Sequence, residues 1–171
     1  EAENRVARPA DLERASMPTV KANEREFMSQ VISWLNEFLS SGTYPFETAS
    51  SDPSIKMSGE KTKFPDVLIW RNRLAKQGFC GWELKTPATA VDDSDLLENA
   101  AEKATAMNAN YFVTWNMRDA VIWRTPLPNV KVTSQDRFKS YPSLYQVSAP
   151  DDLWVEPNKI LLKNRAQEIL E

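Results

Sequence analysis

The first regular pattern along the chain is helical. From Ala22 to about Ser40 the apolar residues Phe27, Val31, Trp34, Leu35 and Phe38 recur three and four apart, and Gly42 follows as a stop, which predicts an amphipathic helix. Counting back three from Phe27 places Glu24 on the inward face of that helix. Residues 1–21 are polar without a clear period and predict an N-terminal arm. Residues 41–63, rich in Ser, Thr, Gly, Pro and Lys, predict a loop with a short strand near Tyr44 to Thr48. Two apolar runs, Phe64 to Trp70 and Phe79 to Lys85, flank the basic stretch Arg71 to Gly78 and predict a β-hairpin. A second helix is predicted from about Asp95 to Met107, with Leu97, Ala101 and Ala104 inward and Asp92, Asp93 and Asp95 at its start, where carboxylates satisfy free N–H groups. Tyr111 to Trp115 and Ala120 to Arg124 read as strands around a tight turn, Asn116 to Asp119. Residues 125–157 hold several prolines and predict a loop-rich cap with a strand-like run at Val130 to Thr133, and residues 158–171 predict a last helix.

The order αβββαββ plus a closing helix predicts a mixed α/β (α+β) domain, its central mixed β-sheet flanked by helices. Residues 22–157 form this expected domain, and 158–171 are read as a C-terminal helix leading towards a further domain. A length of 171 residues and 26% charged residues fit one globular core. The start at Glu1 rather than Met makes us expect a piece of a larger protein. No apolar run approaches the roughly 18 residues that span a bilayer, and no signal-peptide pattern opens the chain, so a cytoplasmic protein is expected.

Composition narrows the chemistry. The chain has no histidine and one cysteine, Cys80, which removes Ser-His-Asp hydrolysis, histidine-metal centres and internal disulfides. Carboxylate and lysine chemistry remains, and carboxylates suit a hard ion such as Mg²⁺, with Mn²⁺ as a substitute. Charge is unevenly spread. Between Lys56 and Lys85 seven basic residues stand against three acids, a local balance of +4 in a chain whose total is −3, so the remainder carries −7. Lys56, Lys61 and Lys63 are candidate phosphate contacts, against the plainer reading of a solvated loop.

Strand geometry then singles out three residues. Glu83 and Lys85 lie two apart and share a face. If the hairpin is symmetric about a turn between Leu74 and Ala75, Asp66 lies opposite Glu83, with Cβ atoms about 5 Å apart. Two such carboxylates repel unless a cation lies between them. Asp66 and Glu83 are therefore candidate metal ligands, and Lys85 a candidate to orient or deprotonate water or to stabilise a charged transition state. Glu24 is a candidate fourth member; the plainer reading is an acid that caps its own helix. The tryptophans Trp70, Trp82, Trp115 and Trp123 read as core, and Cys80 as a small buried hydrophobe.

Phe64-Pro65-Asp66 followed by Glu83-Leu84-Lys85, with a Glu-bearing helix before and a helix and two strands after, resembles the PD-(D/E)xK nuclease superfamily over about residues 22–124. The run Glu83-Leu84-Lys85-Thr86-Pro87, with Tyr111-Phe112-Val113-Thr114-Trp115-Asn116, is similar to the nuclease domains of bacterial restriction-modification enzymes that also carry helicase or methyltransferase regions. The resemblance implies a restriction-endonuclease-like core, αβββαβ, and a Mg²⁺-dependent deoxyribonuclease, taken as an endonuclease. It implies DNA as partner, helicase, translocase or methyltransferase regions of the same parent protein, and a dimer where both strands are cut. Some relatives place a glutamine on the helix after the motif, where this chain offers Asn99 and Lys103; Lys103 is a further candidate DNA contact. Two other readings stay open: a catalytically inactive module that binds DNA or assembles with a partner, and a small-molecule phosphohydrolase using the same carboxylates.

Overall fold

A computed structural model of the chain describes residues 9–51, 65–75 and 77–171, with residues 9–22 described by backbone only. The elements are α1 (Pro9–Leu39), β1 (Thr48–Ser50), β2 (Val67–Asn72), β3 (Gln77–Leu84), α2 (Ser94–Ala106), β4 (Tyr111–Trp115), β5 (Ala120–Arg124), β6 (Arg137–Ser140) and α3 (Glu156–Leu170). The fold is mixed α/β. Its six strands form one sheet in sequential order, antiparallel throughout except for β3 and β4, which run parallel. A parallel pair needs a crossover, and α2 is that crossover.

Strand alternation sorts the core into two layers. Cys80, Trp82 and Leu84 of β3, with Val113 and Trp115 of β4, join Phe27, Val31 and Leu35 of α1 and Leu162, Ala166 and Ile169 of α3 in one buried cluster. Phe112, Val121 and Trp123 join Leu97, Ala100, Ala101 and Ala104 of α2 in a second. The sheet is thus covered by α1 and α3 on one face and by α2 on the other. Trp115 anchors the first layer, its ring 4.8 Å from that of Phe27 in an edge-on contact and its indole N–H donating to the Met117 carbonyl. The final helix therefore packs into the same core as α1, tied to it by the Lys163–Glu37 ion pair.

Several expected boundaries moved. The N-terminal arm is instead helical from Pro9, which makes α1 31 residues long and carries it through Pro18. Residues 9–21 lack the apolar stripe on which a sequence reading depends. The helix stops as expected, with Gly42 at φ +72 after it. The strand expected at Tyr44 to Thr48 lies at Thr48–Ser50. Val130 to Thr133 is not a strand, and the sheet's last strand is β6, all four of whose residues are exposed. An edge strand with no buried face carries no hydrophobic alternation, so only its backbone pairing to β5 reveals it.

The hairpin register is the expected one, with Val67 opposite Trp82, Leu68 opposite Gly81 and Ile69 opposite Cys80. Gly81 has a specific reason to lack a side chain. A Cβ there would lie 2.8 Å from Pro65 Cβ, 3.0 Å from Pro65 Cγ and 3.2 Å from Met107 Cε. The proline ring is rigid and precedes Asp66, so the crowding cannot be relieved by a rotamer change. Gly81→Ala is expected to destabilise the domain by about 1–3 kcal/mol through overpacking, measured by denaturant unfolding. An unchanged midpoint would show that Pro65 yields freely.

Candidate active site

Asp66 sits just before β2, where the ladder towards β3 ends. Its Oδ2 accepts the backbone N–H of Leu84 at 2.8 Å. One carboxylate oxygen thus replaces a missing rung and fixes the side chain against the strand that carries the Glu83-Leu84-Lys85 run. Leu84 turns into the α1 layer, so its neighbour Glu83 turns to the opposite face of the sheet, beneath α2. Glu83 is only 5% exposed. Lys103 reaches it from α2, with Nζ 2.7 Å from Glu83 Oε1.

These charges act on one another. Burial, and next the negative charge of Asp66, push the Glu83 carboxyl up from 4.5 to about 7, while Lys103 and then Lys85 oppose the rise. The upward result says that desolvation and carboxylate repulsion together outweigh the two lysines. Lys85 follows β3, half-buried, its backbone N–H donating to the Trp115 carbonyl at 2.8 Å. The parallel ladder with β4 therefore holds the motif in place one residue beyond the strand.

Glu24 does not join this group. Among the described residues no three His, Cys, Asp or Glu side chains lie close enough to hold a metal ion together. Two features of the fold account for it. The inward row of α1 runs through Asn23, Phe27, Val31, Leu35 and Leu39, which leaves Glu24 half-buried at its shoulder. In addition α1 covers the face of β3 that bears Trp82 and Leu84, whereas Glu83 faces α2. The candidate group of Asp66, Glu83 and Lys103 therefore lies between the hairpin and the second helix, away from the first.

Lys103, a candidate DNA contact in the sequence, is paired with Glu83. The sequence carried a signal for this, since Lys103 follows buried Ala100 by three positions and Leu96 by seven, at the edge of the inner stripe of α2. Lys56, Lys61 and Lys63 lie outside the described residues. Cys80 is buried on the opposite face of β3, and burial pushes its thiol up to about 12, far from a reactive thiolate.

A second set of residues, given no role of this kind by the sequence, fastens the loop after Lys85. Buried Thr114 donates its hydroxyl to the Val91 carbonyl and accepts the Trp123 indole N–H, at 2.9 and 2.8 Å. The Asn116 side chain donates to the Thr89 carbonyl at 2.8 Å and accepts the Asp119 N–H at 2.6 Å. The loop ends at Asp93, whose carboxylate caps α2 by accepting the Leu96 N–H at 3.1 Å. This chain of bonds sets where α2 begins, and so how far Lys103 reaches.

The donor set fits a hard divalent ion. Asp66 and Glu83 offer oxygen only, and Mg²⁺ is ordinarily held by one or two carboxylates with water and phosphate completing its shell. Comparisons with family models, with curated proteins and with solved structures found no match. No described helix is long and apolar enough to cross a membrane.

Proposed function

We propose that this chain is the nuclease domain of a PD-(D/E)xK-type enzyme, a Mg²⁺-dependent hydrolase of DNA phosphodiesters, acting as an endonuclease within a larger cytoplasmic restriction or DNA-processing protein. The observation that carries the reading is the pairing of Asp66 with a buried Glu83 whose carboxyl is pushed up to about 7 largely by burial and by Asp66. Such a pair is destabilising in isolation, and perturbed carboxylates of this kind concentrate where chemistry is done. Asp66 and Glu83 would hold Mg²⁺, with Mn²⁺ substituting, and the ion would polarise the phosphate and acidify water. Lys85, on the Glu83 face, orients the attacking water and meets the charge that develops on the phosphoryl oxygens. The Leu84 N–H keeps Asp66 from rotating away. The helicase, translocase or methyltransferase regions of a parent protein would bring DNA to the site, and a second copy would cut the second strand.

One observation favours a second reading, a catalytically inactive DNA-binding or assembly module: the Lys103 ammonium occupies Glu83 Oε1 at 2.7 Å. Metal dependence separates the two. Supercoiled and linear DNA incubated with the chain in Mg²⁺, Mn²⁺ or EDTA should be cut only with the metals, and not by Lys85→Ala purified in parallel. DNA retained equally with and without chelator, and never cut, would establish the inactive module.

A further inference from the structure

Four carboxylate oxygens meet in this site, and two already have donors. Glu83 Oε1 takes the Lys103 ammonium and Asp66 Oδ2 takes the Leu84 N–H. Among the described residues Glu83 Oε2 and Asp66 Oδ1 accept no hydrogen bond. One free oxygen from each of two facing carboxylates suits one bridging divalent ion. A second ion would have to displace Lys103 from a pocket in which the two side chains are only 17% and 7% exposed.

Charge counting leads the same way. Asp66 and Glu83 carry two negative charges, Lys85 and Lys103 two positive ones, so one divalent ion leaves the site at +2. That balances a phosphodiester gaining a second negative charge during attack, whereas two ions would put the site at +4 and leave an excess of +2 over the same phosphate in a buried place. We infer that Lys103 is the second cation of this site: it confines Asp66 and Glu83 to a single divalent ion and presents its own ammonium to the phosphate where a second ion would otherwise stand. The inference rests on the nuclease reading above. A lysine suits the role because its ammonium is a compact point charge with three donors, able to keep Glu83 while contacting a phosphate oxygen.

The test is Mn²⁺ binding by calorimetry at pH 8, on the whole chain, together with single-turnover cleavage. The wild type should bind one ion. Lys103→Met, which keeps the aliphatic stem and removes the charge, should bind Mn²⁺ at least tenfold more tightly yet cleave about a hundredfold more slowly, while Lys103→Arg should cleave within tenfold of wild type. Lys103→Gln, which still donates to Glu83, serves if the Met variant does not fold. Two ions in the wild type, unchanged affinity in Lys103→Met, or unimpaired cleavage by it would each overturn the role of Lys103 and leave the nuclease reading standing. Folded wild type and variant that both fail to bind Mn²⁺ would instead remove the metal site, and the inference with it.

Discussion

Lys85→Ala is expected to lower DNA cleavage by about a thousandfold, the scale of losing a positioned proton-transfer or charge-stabilising group, while changing stability by less than about 1 kcal/mol. The two halves of this expectation come from different parts of the residue. The backbone of Lys85 is held by the Trp115 carbonyl, an interaction that alanine preserves. The ammonium is close enough to lower the Glu83 carboxyl, yet among the described residues it forms no hydrogen bond or ion pair, so its removal leaves no described donor or acceptor orphaned. Its proximity to the carboxylates without commitment to either is what a group reserved for substrate requires. Single-turnover cleavage and denaturant unfolding, run on the same preparation, measure both. Cleavage within tenfold of wild type would show that Lys85 is not the catalytic cation. A large loss of stability would place it in the architecture instead.

The parts of this fold legible in the sequence are those where burial imposes a period. The strands Tyr111–Trp115 and Ala120–Arg124 match their expected limits because aromatic and branched residues fill both faces between clear turn residues. The register that brings Val67 opposite Trp82, next to Asp66 and Glu83, was legible because a symmetric hairpin follows from its own turn, and the bulges near Trp70 leave that end of the ladder unchanged. Which helix would cover the Glu83 face was not legible. Period two states that Glu83 and Leu84 point apart, and nothing local says which side α1 takes. That choice belongs to the crossover through α2 and to the packing of Phe27 on Trp115. That Glu24 lies apart from the two carboxylates and that Lys103 pairs with Glu83 escaped the sequence through the same gap: long-range packing decides both. The bonds made by Thr114 and Asn116 were invisible for a related reason, since each reaches a backbone carbonyl some twenty-five residues away, that of Val91 or Thr89.

Glu83→Gln should show the opposite balance from Lys85→Ala: a gain in stability of about 3 kcal/mol at pH 8 without metal, and loss of cleavage by at least about a thousandfold. The folded Glu83 carboxyl lies at about 7 against an ordinary 4.5, so the native state binds this proton more tightly than the unfolded chain does. The stabilisation that the protonated form contributes is complete below pH 4.5 and is lost as pH rises to about 7. Glutamine mimics the protonated form at every pH, so wild type and variant should be alike at pH 4 and diverge as pH rises. The loss of the Lys103 pair opposes this, and removing one partner of a buried pair commonly destabilises. Here the upward shift already contains the attraction of Lys103, which is why desolvation and Asp66 prevail. In EDTA, then, wild-type stability contains a component that falls between pH 5 and 8 and that Glu83→Gln lacks. A variant less stable than wild type at pH 8 would show that the ion pair wins and that Glu83 is structural. Millimolar Mg²⁺ should stabilise the wild type at pH 8 and leave Glu83→Gln unmoved, because an ion that binds only the folded state recovers what the buried carboxylate loses. On the proposed reading the instability of the buried carboxylate is what would draw a cation to the site, and a neutral side chain would relieve the strain and remove the affinity in the same step.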